Sequence, residues 1–298
     1  MLPKGLFGCE MWYDMKKSDI LFIERTHRFC VKYIQSIGAR TRTHIALGLL
    51  GLFSIESEID KKKLILFGQL CRLELYSCIK EVFLFRLSSY FSFSNNQQGY
   101  FKDICYVLTK YNLMETIRSY INCGQFPSKS LWKQQVNKCI KVHEESLWYT
   151  NCTLNEFRMF NLIQPTLQES NIWLISKRIP KLLKHCRYAI KLVSYMCSYN
   201  IERLCSRCGI VYDDVIKHTL FNCLALESYR LSFIVSLNVK FGQAVSDHVS
   251  SLNSDEQLGV LLGGPCTRLE SLSQKEYDAF VELSVVYISK LWQLKDTC

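Results

Sequence analysis

The amino-acid sequence predicts an all-α fold, with helical, bundle-like N-terminal and middle parts. Glycine and proline, which punctuate proteins made of many short strands, number only 13 and 5 in 298 residues. Long stretches repeat apolar residues every three or four positions, which is the spacing of one face of an α-helix. Hydrophobic residues make up 48% of the chain and charged residues 21%, so there is enough apolar material for a buried core.

The first predicted helix begins at Ser18 and ends near Gly38. Its apolar residues fall on one side and three cations fall on the other, as in a helix half-buried against a core. A short basic loop follows the helix. Together these cations form the first basic set: Arg25, Arg28, Lys32, Arg40 and Arg42.

Helical periodicity continues through most of the chain. The apolar spacing predicts helices over residues 55–73, 75–93, 100–113, 114–122 and 130–148. A polar, turn-rich stretch at 92–99 is typical of a linker. We therefore divide the chain into a basic helical region, a helical connector, a cysteine-containing module and a C-terminal helical region: 1–92, 100–200, 201–235 and 236–298.

Two more helices are predicted in the second half of the chain. Pro180 suits the first turn of one of them, and its apolar face includes Leu183 and Ile190. The opposite face carries the second basic set: Lys181, Lys184, Arg187 and Lys191. A terminal amphipathic helix is predicted over 276–294, after a turn at 263–265.

The charge distribution favours a polyanionic partner. The formal net charge is +10, and the excess lies in the first two thirds of the chain, because residues 201–298 are net acidic. Both basic sets are expected to contact phosphates of RNA or DNA, which gives affinity without sequence reading. The alternative for each set is an ordinary solvated helix face.

The cysteines indicate a reducing environment. There are 15 of them, an odd number, scattered beside apolar residues and without the paired spacing of a disulfide framework. The N-terminus lacks a signal-peptide pattern, and no apolar run is long enough to span a bilayer. We expect a soluble, intracellular protein with no membrane partner, and the choice between nucleus and cytoplasm stays open.

One motif has the spacing of a metal site. Cys205 and Cys208 are two residues apart, His218 follows after nine residues, and Cys223 after four more. Gly209 permits the turn that directs the sulfurs of Cys205 and Cys208 inward. His218 and Cys223 lie about one helical turn apart. Four nitrogen and sulfur ligands make a closed tetrahedral site, so the motif predicts one structural Zn²⁺ in a small CCHC knuckle.

Other candidate sites are weaker, and we expect no catalytic residues. Tyr212-Asp213-Asp214 lies between the predicted zinc ligands and favours a solvated loop over a catalytic carboxylate pair. His143-Glu144-Glu145 has no second ligand at helical spacing. His27 and His185 lie on or beside apolar helix faces and are expected to be packing residues.

The zinc segment and the N-terminal region together resemble one protein family. Leu204-Cys-x2-Cys-Gly209, His218-x3-Asn-Cys223 and Tyr229-Arg230 are similar to the zinc-binding end of LINE-type, non-LTR retrotransposon reverse transcriptases. Residues 2–12 resemble the stretch after the polymerase palm, and 23–32 and 49–56 resemble the thumb helices. The resemblance covers residues 1–75 and 200–235.

This resemblance implies a non-catalytic role. The family's polymerase uses palm carboxylates, including an aromatic-Ala-Asp-Asp hairpin, that hold two metal ions. Nothing in this sequence matches that hairpin, so the chain resembles the part of the enzyme that follows the active site. In the family this part is taken to hold template RNA or target DNA against the polymerase. The polymerase part of a retroelement protein would then be a further partner of this chain.

Two other hypotheses stay open. The chain could be a helical protein-interaction scaffold in which zinc only stabilises the fold and the positive charge is incidental. It could also be an inert retroelement fragment whose N-terminal helices lack the palm on which they pack, leaving apolar surface exposed.

Overall fold

The computed structural model describes residues 5–92, 99–152, 158–195 and 203–295. The described chain is 73% helical with almost no strand, which confirms the all-α class. Most of the predicted 92–99 linker lies outside the described residues, as do 2–4 and the predicted boundary near residue 200. In the described part of the chain no single helix is both long and apolar enough to cross a membrane. Only Val215–Asn222 taken with Leu224–Phe241, across a 50° bend, reaches that length and composition.

The α-helices are numbered in chain order. The first seven are α1 Lys17–Gln35, α2 Thr43–Gly48, α3 Ile55–Cys71, α4 Cys78–Ser92, α5 Tyr100–Lys110, α6 Met114–Cys123 and α7 Lys129–Cys152. The next three are α8 Arg158–Ile163, α9 Asn171–Arg178 and α10 Leu183–Tyr195. After a two-stranded hairpin, β1 Arg203–Leu204 and β2 Val211–Tyr212, come α11 Val215–Lys217, α12 Glu227–Phe241, α13 Gln243–Ser251, α14 Ser254–Leu261 and α15 Gln274–Lys295.

The structure has a helix at each predicted position, with ends shifted by a few residues, although the 15-residue helix α12 was not among those predicted. Pro180 is the exception, because it begins a separate 3-10 turn, Pro180–Leu182, directly before α10. The fixed φ of proline suits this tighter turn as well as it suits the first turn of an α-helix. The short helices α2, α8 and α9 and the hairpin carry too few residues to show a periodic pattern.

The chain forms two compact units, each built from separated stretches. The first contains residues 1–27 and 53–147, and the second contains 28–52 and 148–298. This grouping differs from the four segments predicted along the sequence, because each unit combines stretches that are distant in the chain. The four-segment division therefore stays a prediction about domain organisation.

In the first unit, helices α3 to α7 surround one apolar core. Its largest fully buried side chains include Phe67 and Trp132. Trp132 Nε1 donates a hydrogen bond to the Leu64 carbonyl oxygen at 2.8 Å. Gly68 lies under the indole ring, where an added Cβ would overlap it. The close approach of α3 and α7 thus depends on a residue without a side chain.

The first unit also holds buried charges that are paired. Lys110 Nζ contacts Asp60 at 2.8 Å and Glu56 at 2.6 Å, and Tyr111 donates a hydrogen bond to Asp60 at 3.0 Å. Lys63 pairs with Asp103 at 2.6 Å. Burial raises the pKa of Asp60, although Lys110 and Tyr111 act in the opposite direction. These contacts supply the partners that buried charges require.

In the second unit, α10 and α15 make the most extensive helix–helix contact. Their buried residues include Ile190, Val193, Val285 and Ile288. Helices α9, α12 and α14 also pack on α15. The hairpin and α11 belong to this unit, and Tyr287 of α15 donates a hydrogen bond to the Leu220 carbonyl oxygen at 2.9 Å. The cysteine motif is therefore fixed to the terminal helix of the chain.

Candidate metal centre and candidate nucleic-acid interface

The hairpin positions the first two cysteines of the motif. Leu204 pairs with Val211 across the strands, and Cys205 N donates to the Ile210 carbonyl oxygen at 2.9 Å. Gly209 N donates to the Cys205 carbonyl oxygen at 2.9 Å, with Gly209 in the left-handed region at φ 71°. Glycine adopts this conformation without steric cost. The tight loop between the strands therefore carries both Cys205 and Cys208.

A π-helical turn positions His218 and Cys223. Asp214 Oδ1 accepts hydrogen bonds from Ile216 N and Lys217 N, which caps α11. The helix then widens over His218–Asn222, and Cys223 N donates to the His218 carbonyl oxygen at 2.7 Å. In a regular α-helix, residues five apart point about 140° away from each other. The wider π-turn brings them towards the same face.

These elements bring all four predicted ligands together. The ligand atoms of Cys205, Cys208, His218 and Cys223 lie within 4.8 Å of one another, and the group could hold a metal ion. The Sγ atoms of Cys205 and Cys223 are 3.9 Å apart, and Cys208 Sγ lies 3.5 Å from His218 Nε2. His218 and Cys223 are buried, and the other two ligands are half-buried.

The two ends of the motif differ in electrostatics. Burial tends to raise the pKa of Cys205, but backbone N–H groups of Cys208 and Arg207 donate to its sulfur and lower that pKa to about 6. Burial raises the pKa of Cys223 to about 11. The backbone donors thus favour the thiolate form of Cys205, and burial favours the protonated thiol of Cys223.

Several contacts around the cluster were not anticipated by motif spacing. The Tyr212 ring stacks on the His218 imidazole, with centroids 4.4 Å apart and planes 7° apart. Arg230 Nη1 donates to the Cys223 carbonyl oxygen at 2.8 Å. These side chains orient the ligands from outside the cluster, as neighbours of metal ligands usually do. Arg230 belongs to the Tyr229-Arg230 pair quoted for the family resemblance, whereas the sequence signal for Tyr212 was its closeness to the motif.

Of the two acidic residues between the ligands, Asp213 and Asp214, the second has a structural role. Asp214 caps α11, and Asp213 Oδ1 accepts a hydrogen bond from Asp214 N at 2.7 Å. The Asp213 side chain is exposed, as predicted for a solvated loop. Asp214 is therefore the N-cap residue of α11.

The remaining histidine candidates are buried or half-buried in helices. His143 meets the Tyr111 ring edge-on at 5.1 Å between centroids, and Glu144 accepts a hydrogen bond from Ser54 Oγ at 2.6 Å. His27 is buried in α1 and His185 is half-buried in α10. These placements agree with packing roles.

The first basic set occupies a helix face and a loop. Arg25, Arg40 and Arg42 are exposed, and Arg28 is half-buried. Lys32 Nζ donates to the Ala39 carbonyl oxygen at 2.8 Å, and burial followed by the charge of Arg28 lowers the pKa of Lys32. Lys32 therefore helps to hold the loop that follows α1.

The second basic set lines one concavity. Lys181, Lys184, Arg187 and Lys191 line an open hollow of about 530 Å³, together with Ser36 and Tyr188. Lys181 lies 4.0 Å from Glu282. Among the described residues, Lys184, Arg187 and Lys191 form no ion pair. Nearby cations of α9 differ, since Lys177 pairs with Glu169 and Arg178 with Asp278.

The fold and the cluster thus define a helical protein with a Cys3His module that could hold a metal ion. Comparisons with protein-family models, with curated proteins and with solved structures found no match for this chain. The resemblance to LINE-type reverse transcriptases stays a prediction from the quoted residues.

Proposed function

We propose that the Cys3His cluster binds one structural Zn²⁺. With Zn–S bonds of about 2.3 Å and a Zn–N bond of about 2.0 Å, a regular tetrahedron has S···S edges of about 3.8 Å and S···N edges of about 3.5 Å. The separations of 3.9 Å and 3.5 Å in the cluster support this coordination. Three sulfurs and one imidazole leave no ligand position for water, so the ion would stabilise the module.

We further propose that the protein binds RNA or DNA through the phosphate backbone, without reading sequence. The observation that carries this proposal is the concavity in which Lys184, Arg187 and Lys191 lie side by side without ion pairs among the described residues. Phosphates could supply the missing negative charge. Tyr188, which lines the same hollow, could stack on an unpaired base.

A salt titration of binding to a short single-stranded RNA tests this function. Each phosphate contact adds about −0.7 to the slope of log affinity against log salt. The double variant Lys184→Gln/Arg187→Gln is therefore expected to bind more weakly, with a slope about 1.4 units shallower. A wild-type affinity that does not change with salt would contradict the proposal.

A matched double variant controls for general charge. Lys133 and Lys138 are exposed cations of α7 that do not line the concavity. Lys133→Gln/Lys138→Gln removes the same charge and is expected to keep most of the affinity and the slope. Equal losses in both double variants would show that net charge, and not the concavity, produces the binding.

The proposed kinship places this function in a retroelement. The chain would correspond to the thumb and zinc-binding end of a LINE-type reverse transcriptase, holding nucleic acid for a polymerase part that precedes it. By itself it would have no polymerase activity, because the palm carboxylates have no counterpart in the sequence. Primer extension by the purified chain would overturn this assignment.

A second candidate function is a protein-interaction scaffold, and one observation favours it. The cross-strand pair Leu204 and Val211 is exposed on the hairpin, and α12 exposes Leu231, Val235 and Val239 at helical spacing. Exposed apolar groups of this kind are typical of protein contact sites. Zinc-loaded protein that binds neither RNA nor DNA at low salt would favour the scaffold over the nucleic-acid function.

A further inference from the structure

A second cysteine–histidine contact lies outside the metal cluster. His248, on α13, places its Nε2 atom 3.3 Å from the Sγ atom of Cys266. Cys266 lies in the segment between α14 and α15, and both side chains are half-buried. The contact is short enough for the thiol to donate a hydrogen bond to the imidazole nitrogen.

The backbone around Cys266 is fixed. Leu269 N and Glu270 N both donate to the Cys266 carbonyl oxygen, at 2.9 and 3.0 Å. Upstream, Asn171 Nδ2 and the Tyr277 hydroxyl donate to the Gly263 carbonyl oxygen at 2.8 and 3.0 Å. These bonds hold the segment at both sides of the cysteine, so the contact with His248 does not depend on a freely moving loop.

Cys266 is one of the residues that line a small cavity. It has a volume of about 270 Å³ and is lined by Cys266, Leu269, Leu272, Glu270, Gln274 and Tyr277, along with the adjacent proline. Burial raises the pKa of Tyr277 to about 12, so its phenol carries no charge at neutral pH. Two leucines, a neutral phenol and one carboxylate favour a small uncharged molecule over an anion.

We propose that Cys266 is a nucleophilic thiol, activated by His248, that is modified by small uncharged α,β-unsaturated carbonyl compounds. His248 Nε2 takes the thiol proton while the sulfur electron pair forms a bond to the β-carbon of the carbonyl compound. The C=C π electrons move to the carbonyl oxygen as an enolate, which is then reprotonated from the imidazolium. The product is a thioether, and no oxidant or reductant is consumed.

The reaction is distinct from metal binding and from phosphate binding. Neither His248 nor Cys266 belongs to the Cys3His cluster, and neither lines the basic concavity. The proposal therefore stands or falls independently of the proposed function.

Limited alkylation by acrylamide, followed by peptide mass spectrometry, tests the proposal on the full chain loaded with zinc. Cys78 and Cys123 are exposed thiols and serve as internal references. Cys266 is half-buried but is expected to react about tenfold faster than either reference at neutral pH, because His248 Nε2 lies 3.3 Å from its sulfur and can accept the thiol proton during attack. A rate for Cys266 no higher than that of both references would overturn the proposal.

The variant His248→Gln separates activation from exposure. Glutamine places a polar group near the same position but is no general base, so the Cys266 rate is expected to fall to the level of the references. The reference rates should not change. An unchanged Cys266 rate in this variant would rule out the role of His248. Reaction at the fully buried Cys186 would show that the variant is unfolded. In that case the comparison of Cys266 with the two reference thiols in the wild-type chain would decide the proposal.

Discussion

The phenol ring of Tyr212 lies flat against the imidazole of His218, with ring centroids 4.4 Å apart and an interplanar angle of 7°. Tyr212 belongs to β2 and His218 to the turn that follows α11, so this stack joins the hairpin half of the cluster to its helical half. The aromatic face of Tyr212 thereby holds the imidazole in the orientation that directs Nε2 towards Cys208.

Removing this stack should loosen the metal site. An aromatic pair contributes about 0.5–1.5 kcal/mol beyond its buried area, which corresponds to a change of roughly twofold to tenfold in affinity. We expect Tyr212→Ala to lower zinc affinity by that factor, measured by competition with a chelator. Tyr212→Phe keeps the ring and should behave like wild type. Equal affinity for all three proteins would show that the stack does not position His218.

Gly68 should not accept a side chain. An alanine Cβ there would overlap the Trp132 indole, and inserting atoms into a packed core typically costs about 1–3 kcal/mol. We expect Gly68→Ala to lower the free energy of unfolding by that amount in a urea titration. Gly38→Ala is the control, because its Cβ would meet only the Thr41 hydroxyl at 3.8 Å. A variant as stable as the control would contradict the close packing of α3 on α7.

The two carboxylates that contact Lys110 should differ in their effect on stability. The Asp60 side chain is 7% exposed and that of Glu56 is 46% exposed. Asp60→Asn removes a buried charged partner and should cost about 1.5–3 kcal/mol. Glu56→Gln weakens a more exposed pair and should cost less than about 1 kcal/mol. Chemical denaturation measures both, and the opposite order would contradict the network as described.

His185 should make the protein less stable in acid. Burial, followed by the charges of Lys184 and Lys290, lowers the pKa of His185 below its usual 6.5. The unfolded chain therefore binds this proton at a pH where the folded chain does not. The associated stability is complete above pH 6.5 and is lost as the pH falls through the lower, folded-state pKa.

The variant His185→Gln tests this dependence. Other titrating groups are common to both proteins, so the variant should lose less stability than wild type when the pH is lowered from above 6.5 to below it. Urea midpoints at the two pH values give the comparison. Identical losses would show that His185 titrates alike in the folded and unfolded chains.

The sequence predicted most of the long helices because their apolar periodicity extends over many turns, as in α1, α3 and α7. It also predicted the four clustered ligands, because a knuckle needs fixed short spacings. The π-turn at His218 was not predictable, since its wider hydrogen bonding leaves no distinct residue pattern. The strands of the hairpin are too short to alternate visibly.

Contacts between residues that are far apart in the sequence could not be predicted from motif spacing, for a different reason. Ser36 joins the second basic set only because the fold brings the end of α1 to α10. Cys266 and His248 are 18 residues apart and on different elements, with no shared period. Lys110 contacts Asp60, which lies 50 residues earlier in the chain. Each pairing is decided by packing between helices, which a single helix pattern does not specify.

Metal analysis of the purified full chain tests whether the Cys3His cluster binds zinc. We expect about one zinc ion per chain, bound by the four clustered side chains, and little zinc in Cys205→Ser or Cys223→Ser. The exposed-cysteine variant Cys123→Ser should keep the metal. Wild-type protein without zinc, or ligand variants that retain it, would show that the cluster is not a zinc site.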